Sequence, residues 1–377
     1  MTAWINGAAR TPYGVQPGQD SLGWQRRAAE AAITDAGVDR DAIDVVIAGY
    51  STVLGHLMPA NLLAEYLGLT PSVAFGMSVG GATGLSMVSA ARAWLESGRA
   101  KNVLVVAGEN RASGQTRQVS TAVLAQVGHS AYEVPLGGTV PAYYALLASR
   151  YLATYGLPDR HLAALAVQMR RHAQRTQGAH FTSEITEADV ISSRPVADPL
   201  KLLDCCPVSD GGAAVIVSAA PANRGVEIAG MGQEHRHQHL SALDPVNTGA
   251  AKAAKRALGE SGVTMDSIDV FGIYDSFTIT VAMLLEELGL AARGTAGAEA
   301  RAGAFDVDGR TPLNTHGGLL SYGHPGVSGG LAHLVEVVTQ LRGERGNLQV
   351  PNCRTGYVHA DGGVLSAHVG LVLRGAQ

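Results

Sequence analysis

The stretch "AAEAAITDAGVDRDAIDVV" at residues 28–46 returns as "AAKRALGESGVTMDSIDVF" at residues 253–271. Gly37 falls on Gly262, Asp41 on Asp266, Ile43 on Ile268 and Asp44 on Asp269, all at one offset. Each copy opens with helix formers, breaks at a glycine suited to a helix C-terminus, and ends in a β-branched run. A helix–loop–strand unit repeated at a fixed offset makes the chain two similar α/β halves.

Neighbouring runs extend the pattern. "DVVIAGY" (44–50) and "KNVLVVAGEN" (101–110) read as strands ending in turns, and "LGWQRRAAEAAITDAG" (22–37) and "GLSMVSAARAWLESG" (84–98) as helices closed by glycine. The alternation predicts a mainly parallel sheet covered by helices. "DGGAAVIVSA" (210–219) is echoed by "DGGVLSAHVGLVL" (361–373), so each half is expected to close on Asp-Gly-Gly and a strand. The first half is therefore assigned to residues 1–110 with its closing strand at 209–222, and the second to 223–377. Between them, 111–208 is too long for a connecting loop. It carries the helical runs "VPAYYALLASRYLATYGL" and "RHLAALAVQMRRHAQR" and is expected to cap the active face.

With 377 residues, 46% hydrophobic and 16% charged, the chain can bury a large core. A net charge of −4 without a basic stripe argues against nucleic-acid binding. No signal-like or membrane-spanning run is present in the sequence, which leads to the expectation of a cytoplasmic protein. Three cysteines, Cys205, Cys206 and Cys353, make no disulfide framework. "EHRHQH" (234–239) alternates its histidines and lacks zinc-ligand spacing, so no metal is expected.

The chemistry-bearing segment is "GMSVGGATGLSMVSA" (76–90), an apolar strand, a glycine bend and a helix of small residues. It has the rhythm of a nucleophile turn, yet its only hydroxyls near the bend are Ser78 and Thr83. Together with "YDSF" (274–277), Asn314-x-x-Gly317-Gly318 and "GHP" (323–325), and with the duplication, it resembles the thiolase superfamily over essentially the whole chain. The branch it is most similar to is that of the sterol-carrier-type thiolases. The resemblance implies the thiolase fold: two similar halves in α-β-α-β-α layers with a helical insertion in the first.

The chain departs from that family at its reactive positions. The turn that would be Cys-Ala-Ser-Gly reads Gly81-Ala82-Thr83-Gly84, so the nucleophile position has no side chain. Near the second cysteine's place stand His359 and Asp361, ahead of Gly362 and Gly363. The family's catalytic histidine is replaced by Tyr274. Thiolase-like aldolases of steroid side-chain degradation share this loss of cysteines. The resemblance to them implies a retro-aldol cleavage of the Cα–Cβ bond of a bulky 3-hydroxyacyl-CoA, without a covalent acyl-enzyme, giving a ketone or aldehyde and a shorter acyl-CoA. It implies Tyr274, Tyr322 and His324 as the catalytic set. Gly81, Gly84, Asn314, His316 and Gly363 would surround the thioester and its oxyanion. CoA enters as part of the substrate, and no other cofactor is implied. The resemblance also implies a homodimer joined to a small zinc-binding OB-fold protein of the DUF35 type in a heterotetramer. The apolar edge "PSVAFGMSV" (71–79) is the expected dimer strand. Two other readings stand beside it: a thiolase-fold scaffold without activity, and an acyltransferase with an unusual nucleophile such as Ser78.

Overall fold

The computed structural model describes residues 2–244 and 246–375. The first half runs β1 (Ala3–Arg10), α1 (Ser21–Ala36), β2 (Val45–Gly49), α2 (Pro59–Leu67), β3 (Val73–Met77), α3 (Thr83–Glu96) and β4 (Asn102–Asn110). Asp20 caps α1 by accepting from Gly23 N–H, and Gly37 ends it at φ 63°, the left-handed stop that glycine makes without strain. Residues 111–208 form α4 (Arg117–Ala125), α5 (Val140–Tyr155), α6 (Arg160–Gln174), α7 (Glu187–Ser192) and a small hairpin of β5 (Pro195–Ala197) and β6 (Leu200–Lys201). β7 (Asp210–Ser218) closes the half.

The second half runs β8 (Val226–His235), α8 (Ala250–Ser261), β9 (Val270–Ile273), α9 (Thr278–Glu287), α10 (Ala296–Arg301), α11 (Val327–Leu341), β10 (Thr355–Gly362) and β11 (Ala367–Arg374). The strands are hydrogen-bonded in the order β3-β2-β4-β7-β1-β8-β11-β10-β9. Read from the β1–β8 junction outward, the two halves mirror each other. Even the β3 position has a counterpart, a parallel bridge from Phe271 to Leu313 beside β9.

The sheet is mixed and not mainly parallel. β2 pairs in parallel with β3 and β4, and β9 with β10, but β4–β7, β7–β1, β1–β8, β8–β11 and β11–β10 are antiparallel. For β10 and β11 the reason is connectivity. Only residues 363–366 join β10 to β11, too short a link for the crossover that parallel strands need. The Asp-Gly-Gly echo is correspondingly shifted: Asp210 opens β7, whereas Asp361 and Gly362 end β10.

Alternation sorts the strand residues into two layers. Val46, Ala48, Leu104 and Val106 face α1 and α2, while Val45, Ile47, Val103 and Val105 face the main core with Leu85 and Met87 of α3. Helices α3 and α11 pack on each other and on strands of both halves. They form the middle helical layer, and α8 covers β8 and β11. No helix among the described residues is long and apolar enough to cross a membrane.

Candidate active site

The site forms where β9, β10, the 79–83 turn and the 323–326 loop converge. Tyr274 directly follows β9, and its N–H donates to the His359 carbonyl at 3.0 Å. Two side chains fix this exit. Asn314, at φ 45°, accepts from Ile273 N–H at 2.8 Å and donates to the Ile273 carbonyl at 2.7 Å, a side-chain imitation of strand pairing. Asp275 accepts from Leu319 N–H at 2.7 Å and Leu320 N–H at 3.3 Å, pinning the turn that leads to Tyr322. Gly318, at φ 60°, leaves room for that carboxylate, which a Cβ there would meet at its Cγ at 2.6 Å.

The Tyr274 hydroxyl occupies the space of the missing side chain at residue 81. A Cβ built on Gly81 would overlap that hydroxyl and stand 2.6 Å from Tyr274 Cζ. The same hydroxyl lies 2.9 Å from His324 Nε2. On the other ring nitrogen, Nδ1 accepts from Gly326 N–H at 3.2 Å. A neutral imidazole that accepts at Nδ1 carries its proton on Nε2. Burial, seconded by the charge of Arg111, pushes His324 down to about 3, so the neutral form prevails. His324 Nε2–H therefore donates to the tyrosine oxygen, and the phenol keeps its own proton for a third group. Burial, and next the charge of Asp361, raises Tyr274 well above the ordinary phenol value. This makes Tyr274 a proton donor at neutral pH and a poor base.

Asp361 completes the centre. Its backbone carbonyl lies against the same void at residue 81. Its Oδ2 accepts from the Tyr144 hydroxyl of α5 at 3.2 Å, while its Oδ1 is buried without a partner. Burial lifts this carboxyl to about 7, despite the Tyr144 hydrogen bond. Tyr144 stacks on Phe277 with ring centroids 4.5 Å apart, so the insertion does reach the site. Cys206 is half-buried and its N–H donates to the Ser276 carbonyl. Burial pushes its thiol up to about 12, which keeps it protonated and unreactive.

Several expected site residues serve elsewhere. The Tyr322 hydroxyl donates to the Thr11 carbonyl at 3.1 Å, and its ring packs edge-on against Tyr13 under the Arg10 guanidinium. It is a buried anchor between β1 and the 318–322 turn, and it is not brought to Tyr274. Asn314 is fully buried with both amide atoms hydrogen-bonded to Ile273, so it holds the end of β9. His316 is buried beside His333, ring centroids 5.0 Å apart, with neither ring nitrogen hydrogen-bonded. His333 in turn lies between it and Tyr274. Gly84 sits inside α3, where a Cβ would strike Leu331 of α11. Its smallness serves this helix contact. Gly363, at φ 68°, does border the site: its N–H nitrogen would stand 2.8 Å from a Cβ at Gly80.

His359 is held in a buried chain, Nδ1 to the Tyr357 hydroxyl at 2.9 Å and Nε2 to His368 at 3.1 Å. Ser78 is exposed and, among the described residues, its hydroxyl meets no base. Asp361, Tyr144 and Arg111 were not singled out as working residues by the sequence. The only signal for Asp361 was its place before the last glycine pair. Among the described residues no three His, Cys, Asp or Glu side chains converge as metal ligands.

Comparison with known proteins bears on this geometry. The thiolase N-terminal domain matches residues 3–220, and the thiolase C-terminal domain-like family matches residues 232–375. The chain is 30% identical over 355 residues to an acetyl-CoA acetyltransferase of Methanothermobacter thermautotrophicus, covering 90% of this chain and 91% of that one. It is 31% identical over 366 residues to the 17-hydroxy-3-oxo-4-pregnene-20-carboxyl-CoA lyase of Mycobacterium tuberculosis, covering 90% and 92%. A solved structure described as "Ltp2-ChsH2(DUF35) aldolase" superposes with a TM-score of 0.84 at 29% identity, covering 99% of this chain and 98% of that one.

Proposed function

The chain belongs to the thiolase family, and from that premise we propose that it is a carbon–carbon lyase cleaving a 3-hydroxyacyl-CoA by a retro-aldol step. The observation that carries this is the Tyr274 hydroxyl standing in the nucleophile's place, in contact with His324. A cysteine cannot share that space, whereas a proton donor already occupies it. The similarity to a 17-hydroxy-3-oxo-4-pregnene-20-carboxyl-CoA lyase and to an aldolase supports the same reading, and the site geometry sets it apart from the equally similar acetyltransferase.

The reaction needs a base for the 3-hydroxyl and an acid for the enolate carbon. As the hydroxyl loses its proton, the Cα–Cβ electron pair moves onto the thioester as an enolate, and the former Cβ leaves as a ketone or aldehyde. Tyr274 then gives its proton to Cα. His324 Nε2–H holds the phenolate that forms, so the charge is met by a donor already in place. We assign the base to Asp361, whose unpartnered Oδ1 and near-neutral carboxyl suit it. The proton taken from the hydroxyl restores Tyr274, and the net change is transfer of that proton to Cα. No acyl group becomes attached to the chain.

A bulky apolar acyl group such as a steroid side chain is assigned to the insertion, whose residues 120–138 are rich in Ala, Val, Leu and Gly. The dimer would form along β3, the terminal and half-buried strand of the sheet. An OB-fold DUF35 protein is proposed as the partner, since the aldolase named above carries one by its description. Co-expression with a DUF35 protein, followed by assay of candidate 3-hydroxyacyl-CoAs for released ketone, tests the proposal. Acyl transfer to free CoA without ketone release would refute it.

A further inference from the structure

Arg111 follows β4 directly and is 6% exposed. Its Nε is buried without a partner, and among the described residues the guanidinium makes no ion pair or hydrogen bond. Other strongly buried arginines are engaged: Arg10 pairs with Glu336 at 2.7 Å, and Arg342 with Asp35 at 2.7 Å. A buried guanidinium that donates no hydrogen bond is strongly unfavourable, because its lost hydration is not replaced. A group supplied from outside is the expected complement.

The neighbouring acid, Glu109, feels the Arg111 charge but closes no ion pair with it. Its Oε1 is taken by Ser51 and Thr52 hydroxyls, each at 2.9 Å, and by Thr52 N–H. Its Oε2 is turned against Gly326 and has no partner. Arg111 Cδ also lies against Gly326, 3.4 Å from where a Cβ would stand, which brings the guanidinium to the loop that carries His324. Tyr50, Cys206 and His324, on which the Arg111 charge acts, are half-buried, so this place lies close to the surface of the fold. His324 and Cys206 are both neutral there for the reasons given above.

We propose that Arg111 receives an anionic group borne by the acyl portion of the substrate, a carboxylate above all, and thereby selects acyl-CoA thioesters with a second negative charge near the reacting carbons. A planar carboxylate matches the guanidinium fork with two parallel hydrogen bonds. This rests on the reading of the site as one for acyl-CoA thioesters.

The test is calorimetric titration of the wild-type chain with succinyl-CoA and with butyryl-CoA. The two share a four-carbon acyl chain and lack the 3-hydroxyl, so neither is cleaved by a retro-aldol step. Succinyl-CoA is expected to bind about tenfold tighter or more. Arg111→Met should abolish that preference and leave butyryl-CoA affinity within about twofold, while Arg111→Lys keeps part of it. Equal affinities in the wild type, or a preference that survives in Arg111→Met, would overturn the proposal and leave the acyl-CoA reading standing. Binding of neither thioester would overturn both.

Discussion

The Tyr274 hydroxyl lies 2.9 Å from His324 Nε2 and fills the volume that any side chain at residue 81 would need. One tyrosine thus explains both the empty turn and the retained histidine. The glycine at 81 makes way for the phenol, and the histidine holds it from below. With Gly326 N–H on Nδ1, the imidazole can only donate to the tyrosine. The phenolic proton is thereby left for another acceptor.

Tyr274→Phe keeps the ring and removes that proton. Turnover should fall by roughly a hundredfold to ten-thousandfold, the usual worth of a general acid. Stability should change by only about 0.5–1.5 kcal/mol, the net value of one hydrogen bond. Steady-state kinetics and denaturant unfolding on the same preparation check both halves.

Tyr322→Phe separates the two tyrosines. Its hydroxyl meets the Thr11 carbonyl and no reacting group. Turnover should stay within about tenfold of wild type, well short of the loss assigned to a general acid, while about 0.5–1.5 kcal/mol of stability is lost with the hydrogen bond. A catalytic loss as large as that of Tyr274→Phe, in a variant of normal stability, would place Tyr322 in the chemistry after all.

Gly81→Cys should not create a thiolase. The new side chain collides with Tyr274, and overpacking of this kind costs about 1–3 kcal/mol. Retro-aldol activity should fall as the phenol is displaced. Transfer of an acyl group to CoA should stay undetectable by product mass spectrometry, because the family's second cysteine is missing and Cys206, kept protonated by burial, does not replace it.

Asp361 gives the pH dependence a sign. In the folded chain it keeps its proton up to about pH 7, against 3.8 for an ordinary aspartate. Between those values the folded state binds more protons than the unfolded one, so this residue's contribution to stability declines as pH rises and is fully unfavourable above 7. Asp361→Asn should therefore gain stability over wild type at pH 8 and little at pH 4. The gain is on the order of 1.4 kcal/mol for every tenfold by which folding tightens the carboxyl's hold on its proton, and denaturant unfolding at the two pH values reads it. Activity runs the other way, because a base must be ionised. The wild-type kcat/KM should climb to a plateau above about pH 7, and Asp361→Asn should lose both the limb and most of the rate.

The duplication at residues 28–46 and 253–271 made the two halves legible, because a helix stop at glycine and a β-branched strand are local signals. Strand direction was not legible. Whether β7 returns parallel or antiparallel depends on partners far away in the chain, which no periodicity records. In the site, Tyr274, His324 and Gly81 were found by their places in motifs, and the geometry joins them. Tyr322 and Asn314 stand in equally telling places but spend their polar atoms on Thr11 and Ile273. A motif position says that a residue matters and leaves open whether it faces the substrate or the backbone. Asp361 and Arg111 were harder still. Their distinction is an unpartnered polar atom in a buried setting, which only the packed structure defines.

The central claim is that Cα–Cβ cleavage occurs by proton transfer from Tyr274 with no acyl-enzyme. The most direct measurement is mass spectrometry of a reaction run in deuterium oxide with a 3-hydroxyacyl-CoA, following the shortened acyl-CoA and the intact chain together. The account predicts one solvent deuterium on the Cα of the shortened acyl-CoA, an equal amount of ketone or aldehyde, and an unchanged protein mass. A protein mass raised by one acyl group, and restored by adding free CoA, would contradict it.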